Sequence, residues 1–244
     1  EDEAITHVSC CHCETTSGIL NPVREIGAAV SEAGRAFFVD AMSSFGSVPV
    51  SLPECRIDYL VSSSNKCIEG VPGFSFVLAR IDTLEATEGC ARSMTLDLLD
   101  QYRDNEKNGQ FRFTPPTHAI LAFNTALDEL EAEGGVRGRA DRYRSNYETL
   151  VAGMRKLGFK EFLAPEDQGC IITSFYYPEH DNFDFEHFYS KLNERNYVIY
   201  PGKAGVADCF RIGSIGRIYP DDVKGLLGAI GDVLGEMKVP APVS

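Results

Sequence analysis

Short apolar runs alternate with amphipathic stretches along most of this chain, and turn residues separate them. Residues 5–10, Phe37-Phe38-Val39-Asp40-Ala41-Met42, Ile57-Asp58-Tyr59-Leu60-Val61-Ser62 and Phe74-Ser75-Phe76-Val77-Leu78-Ala79-Arg80 are each strand-length and apolar, and each reads as a β-strand. The second and third runs read as buried on two faces. A helix from about residue 22 to 33, stopped by Gly34, joins the first strand to the second, so these form a βαβ unit with parallel strands. A helix over 93–107 ends at Asn108-Gly109, and a longer one over 117–133 breaks at Gly134-Gly135. That break sets the expected domain boundary, 1–134 and 135–244. Beyond it the pattern predicts a helix near 137–157, a strand over 170–177, a helix over 185–195, strands over 197–200 and 209–212, and a closing helix over 221–237. The expected fold is α/β: a mostly parallel sheet with helices on both faces, followed by a small α+β domain.

In such a sheet the chemistry gathers outside the carboxyl ends of the strands, where Asp40 and Lys66 emerge. An aspartate ending one strand and a lysine just past the next is the layout of a Schiff-base site. The lysine amine condenses with the aldehyde of pyridoxal phosphate, and the carboxylate keeps the pyridine nitrogen protonated as an electron sink. Each residue alone has an ordinary alternative, the lysine as a surface residue and the aspartate as a cap or turn residue.

Composition narrows the class. A formal charge of −13 argues against a surface that tracks nucleic-acid phosphates, which needs clustered Lys and Arg. No apolar run approaches the ~20 residues of a membrane span. With no leader pattern in view, the cytoplasm is the expected location. Cys10-Cys11-His12-Cys13 looks at first like a metal cluster, but neighbours on a strand alternate faces and no second ligand pair follows. No metal is expected, and the eight cysteines read as reduced thiols.

Four segments extend the Asp40 and Lys66 pattern: His12-Cys13-Glu14-Thr15-Thr16-Ser17-Gly18-Ile19-Leu20-Asn21-Pro22, Asp40-Ala41-Met42-Ser43-Ser44-Phe45-Gly46, Ser64-Asn65-Lys66-Cys67-Ile68-Glu69-Gly70-Val71-Pro72-Gly73-Phe74 and Phe210-Arg211-Ile212-Gly213-Ser214-Ile215-Gly216. Together they resemble the class V aminotransferases of fold type I. The stretch from Phe111 to His118 and Ile199-Tyr200-Pro201-Gly202-Lys203 are similar to the branch that handles phosphonates. The resemblance implies a pyridoxal phosphate enzyme that transfers the amino group of 2-aminoethylphosphonate to pyruvate, giving phosphonoacetaldehyde and L-alanine. It also implies a chain truncated at its N-terminus, with about a hundred residues or more expected ahead of it. An alternative donor is a small amino acid with glyoxylate as acceptor, and a reading from another class is a catalytically dead fragment.

The resemblance further implies site roles. Lys66 carries the cofactor, and burial is expected around it; Asp40 holds the pyridinium. Thr15 lies near the cofactor 3′-oxygen, or else caps the following helix. Ser63 and Asn65 donate to the cofactor phosphate, although any serine-rich strand exit looks similar. Thr114 reaches the phosphate in a neighbouring subunit, implying a homodimer with shared sites, or is a plain strand-end threonine. Arg211 binds the substrate carboxylate or phosphonate, or pairs with a nearby carboxylate. Arg92 is a second phosphonate candidate, or a solvated helix-start residue.

Overall fold

The computed structural model describes residues 2–202 and 208–243, and its first half is built on a four-stranded sheet. Strands β1 (His7–Cys11), β2 (Ala36–Asp40) and β3 (Tyr59–Ser63) run parallel, and β4 (Ser75–Ala79) closes one edge antiparallel to β3, giving the order β1-β2-β3-β4. Helix α1 (Val23–Glu32) makes the crossover between β1 and β2. Successive side chains of a strand face opposite ways. Phe37 and Val39 therefore join Val23 and Val30 of α1, with Cys55, Ile57 and Leu60, on one face. Phe38 points to the other, where Tyr59 meets Leu84 of α2 (Ile81–Glu85) and Leu99 of α3 (Leu98–Asn108). Phe38 remains half-buried, so the second face is covered less completely than the first.

Two differences from the sequence expectation have local causes. The helix expected from residue 93 starts at Leu98, because Asp97 is its cap: the Asp97 carboxylate accepts from the Asp100 N–H at 3.1 Å, and Met94–Leu96 form a separate 3₁₀ turn. The strand expected over 197–200 contracts to β6 (Tyr200–Pro201). Asn196, at φ 65°, ends the preceding helix α6 (Phe185–Glu194) by a Schellman motif. The Tyr197 N–H returns to the Leu192 carbonyl at 3.0 Å and the Asn196 N–H to Asn193 at 2.9 Å, so Tyr197 belongs to the helix stop.

The second half is a three-stranded antiparallel sheet, order β5-β7-β6, with β5 (Ile172–Tyr176) and β7 (Cys209–Gly213). Helices α6 and α7 (Pro220–Glu236) pack with it around Phe175, Phe188, Phe210 and Ile230, all fully buried. Between the two sheets run α4 (Thr117–Ala132) and α5 (Gly135–Lys156), separated by Gly134 in the left-handed region at φ 101°. Helix α5 serves both halves. Leu150, Val151 and Met154 join the Phe210 core, whereas Tyr143 packs with Cys13 and Cys67 from the first half.

Candidate active site

Asp40 is the last residue of β2, and Lys66 lies in the turn that follows β3. Asp40 pairs in register with Cys11 on one side and Val61 on the other, so these three share a face, and Ser63, two residues beyond Val61, shares it too. The Asp40 Oδ1 accepts from the Met42 N–H at 2.9 Å. The Ser63 Oγ is buried and has no hydrogen-bond partner among the described residues. A buried hydroxyl left unpaired costs free energy, and such an atom at a strand end marks a place shaped for something else.

The Lys66 turn is fixed from below while its lysine stays open. The Gly70 N–H donates to the Ser64 carbonyl at 2.9 Å, the Ser64 Oγ to Val71 at 2.7 Å, and the Cys67 Sγ to Ser43 at 3.0 Å. Burial pushes the Cys67 thiol up to about 11, although a hydrogen bond with Ser47 and the charge of Arg139 pull the other way. Ser64 and Cys67 turn inward, and Lys66 between them is exposed, contrary to the expected burial: no described residue packs over that side of the turn. Asn65 is half-buried.

Thr15 lies in the loop that leaves β1, closed by the Glu14 N–H to Ile19 bond at 2.8 Å and the Gly18 N–H to Glu14 bond at 2.7 Å. Gly18 has φ 106°, and a Cβ there would stand 2.7 Å from the Ile172 carbonyl oxygen, so the loop approaches β5 only with glycine at that point. The Ser174 Oγ donates to the Ser17 carbonyl at 2.8 Å, which fastens the loop to the second sheet. Helix α1 starts at Val23 with Pro22 in the cap position and no side-chain cap, so Thr15 does not cap it.

Arg211, in the middle of β7, reaches the same loop. Its guanidinium donates to the Thr15 carbonyl at 2.7 Å and to Pro201 at 3.1 Å, and lies over the Tyr200 ring, 5.9 Å from the centroid. It is 8% exposed and forms no ion pair with a carboxylate among the described residues. The alternative of a local ion pair in the second half is thus not what the geometry offers. A hydrogen-bonded chain connects the pieces: Cys67 to Ser43, Ser43 Oγ to the Cys13 carbonyl at 2.9 Å, and from Cys13 along the loop to Thr15 and Arg211.

Two expected residues stay apart from this assembly. Thr114 is exposed in the connection between α3 and α4, where no strand forms because Pro115-Pro116 leads directly into α4. Arg92 is exposed ahead of the 3₁₀ turn and well before Leu98, so it does not start a helix. Neither makes a described hydrogen bond to Asp40, Lys66 or Arg211. Lys203, in one of the motifs, lies outside the described residues.

Two features escaped the sequence reading. His12, 4% exposed, shares a 3.0 Å hydrogen bond between its Nδ1 and the Ser44 Oγ, and burial lowers its pKa to about 4, leaving a neutral ring beneath the site. Its sequence signals were a position beside cysteines and at the start of a family-like segment, neither of which points to a buried neutral ring. The second feature is a cluster of Glu69, Glu133, Arg139, Arg142 and Tyr143 under the Lys66 turn. Spacing along α5 does not say which charges face inward. Among the described residues no group of three or more His, Cys, Asp or Glu is arranged to hold a metal.

An α/β sheet with a lysine and an aspartate at its strand ends, followed by an antiparallel unit whose arginine reaches the loop after β1, fits one family model, aminotransferase class-V, which matches residues 2–212. The chain belongs to that family. It is 53% identical over 230 residues to the 2-aminoethylphosphonate–pyruvate transaminase of Vibrio vulnificus (strain YJ016), covering 94% of this chain and 63% of that protein. It is 51% identical over 238 residues to the enzyme of the same name from Salmonella heidelberg (strain SL476), covering 97% and 65%. Among solved structures it superimposes on pyridoxamine-pyruvate aminotransferase from Mesorhizobium loti with a TM-score of 0.88 at 26% identity, covering 97% of this chain and 62% of that one. The chain thus spans somewhat less than two thirds of these relatives. No described helix is long and apolar enough to cross a membrane.

Proposed function

We propose that this chain carries the lysine-bearing part of a pyridoxal phosphate-dependent transaminase acting on 2-aminoethylphosphonate and pyruvate. The observation that carries the reading is the buried, unpartnered Ser63 hydroxyl, on the Asp40 face of the sheet and three positions before Lys66. The residues present fit the cofactor: an exposed amine at the turn, a carboxylate at the adjacent strand end, and a hydroxyl with no partner among the described residues between them. When bound, pyridoxal phosphate supplies the electron sink through which an amino group passes between two small molecules.

Lys66 Nζ would hold the cofactor, and the same amine would carry a proton to and from the substrate Cα. Asp40 holds the proton on the ring nitrogen, with one carboxylate oxygen oriented by the Met42 N–H. Ser63 and Asn65 would hold the cofactor phosphate, and Thr15 would serve the ring's 3′-oxygen. Arg211, free of a described carboxylate partner, binds the anionic end of either substrate, since a planar fork suits a carboxylate and a phosphonate alike. Arg92 is assigned as a second phosphonate contact.

Thr114 is assigned to a neighbouring subunit's phosphate, in a homodimer. Supporting this, the segment that carries it exposes Phe111 and Phe113, apolar area suited to a second copy. The two-domain division at Gly134 and a cytoplasmic location complete the reading; eight free cysteines suit a reducing compartment. Borohydride reduction of the protein with pyridoxal phosphate, followed by peptide mass analysis, is expected to find the pyridoxyl adduct on Lys66. An adduct on a different lysine, or alanine formed from pyruvate as fast with glycine as with 2-aminoethylphosphonate, rejects the proposal.

A further inference from the structure

Arg139 is among the most buried side chains of the molecule, 2% exposed, and it is charged. A buried guanidinium is costly to keep, and an apolar residue of similar size often serves stability as well or better. Its contacts indicate another use. It donates to the Cys67 carbonyl, the peptide next after Lys66; its Nε bonds Glu133 at 2.7 Å; and its NH1 lies 3.4 Å from Glu69.

Glu69 is itself unusual. Its backbone is left-handed at φ 64°, a conformation that a glutamate holds only where its surroundings impose it. Two donors bond its Oε1, Arg142 at 2.8 Å and the Tyr143 hydroxyl at 2.7 Å, and the Arg139 guanidinium lies 3.4 Å from the same oxygen. The Glu69 N–H closes the turn onto the Lys66 carbonyl at 2.8 Å. Lys66 therefore stands on a turn in which Cys67, directly after it, and Glu69, three residues on, are both gripped from α5.

The grip extends to the other half of the site. Arg142 also donates to the carbonyls of Gly216 at 2.7 Å and Ile218 at 3.2 Å, and the Tyr143 hydroxyl accepts from the Gly216 N–H at 3.0 Å. These lie just beyond β7, the strand of Arg211. One helical turn of α5 thus holds the lysine turn and the exit of the arginine strand at once.

We propose that Arg139 is a positioning residue for Lys66. Through the Cys67 carbonyl and Glu69 it fixes the turn so that the amine keeps its direction without being buried, and Arg142 and Tyr143 tie that direction to β7. The inference rests on the reading of Lys66 as the cofactor-binding amine.

The test uses Arg139→Met, which fills the space without charge, in the protein at its natural length. Hydrogen exchange is followed in the absence of cofactor at the amides of Glu69 and Gly70, together with the rate of adduct formation at Lys66. Exchange at those two amides is expected to rise about tenfold or more, with the strands of both sheets unchanged, and adduct formation to slow by a similar factor. Unchanged exchange and an unchanged rate at Lys66 overturn the inference. If Arg139→Met does not fold, Arg139→Lys keeps the charge but cannot span the Cys67 carbonyl and both carboxylates, and the same two readings decide. Absence of any adduct at Lys66 in the parent protein overturns the functional reading instead, while the exchange result still judges the role of Arg139 in ordering the turn.

Discussion

The core beneath β7 is fully buried, the junction beneath the Lys66 turn is partly so at its glutamates, and the two are built on opposite chemistry. In the core, Phe210 meets Phe159, Phe188, Phe185 and Tyr177 with ring centroids 5.5 to 6.2 Å apart, and no charge is involved. In the junction, two carboxylates face two guanidiniums. Burial alone would lower the Arg142 guanidinium, yet its bonds to Glu133 and Glu69 outweigh that and hold it up; Glu133 is lowered because its arginine bonds exceed its own burial. An apolar core loses stability in proportion to what is removed, since nothing left behind is orphaned. A charged junction adds little net stability, but it fixes directions and reacts sharply to losing one member. The molecule places the first where mass must be held and the second where a lysine must be aimed.

Phe210→Ala is expected to separate the two regions most clearly. Removing a fully buried ring should cost about 3 to 5 kcal/mol in urea unfolding while the Lys66 adduct still forms in the folded fraction. Loss of the adduct without loss of stability would erase the distinction. The next largest effect belongs to His12, a buried neutral group of neither kind. Its folded pKa of about 4 lies below the usual 6.5, so its contribution is fully present above pH 6.5 and is lost as pH falls toward 4. That loss amounts to about 3 kcal/mol, and His12→Asn should flatten stability across this window relative to the parent.

Arg211→Lys retains the charge and gives up the fork, so kcat/KM for both substrates should fall about 10- to 150-fold, with the melting temperature and the cofactor absorbance nearly unchanged. A fall in melting temperature with normal kinetics would return Arg211 to a purely structural part. The smallest effect is expected at the exposed surface. Phe111→Ser should change unfolding of the monomer by no more than about 0.5 kcal/mol but weaken self-association in sedimentation, because this ring is 60% exposed.

The elements that sequence made legible are those whose pattern is set locally. The strands at Phe37 and Leu60 announce themselves as apolar runs, the Gly109 and Gly134 breaks follow from positive φ, and Asp184, capping α6 through the His187 N–H at 2.7 Å, sits where the pattern begins. Asp40, Lys66 and Arg211 were singled out because strand ends and family motifs mark them. Helix α2 was missed, since five residues hold too little periodicity. The start of α3 was misplaced because Ser93 and Asp97 are both acceptable caps and only the fold selects one. The Glu69 cluster was invisible because its members are brought together from the cap that ends α4, from α5 and from a turn, and a charged residue carries no mark of facing inward.

Helix α5, 22 residues and roughly 33 Å long, belongs to both halves at once. Its last turns are part of the Phe210 core and its first turns grip the lysine turn, so neither end can fray without loosening a region at the far end of the same rod. The two sheets should therefore melt in a single cooperative step, with the calorimetric and van't Hoff enthalpies equal, even though their hydrophobic clusters are separate.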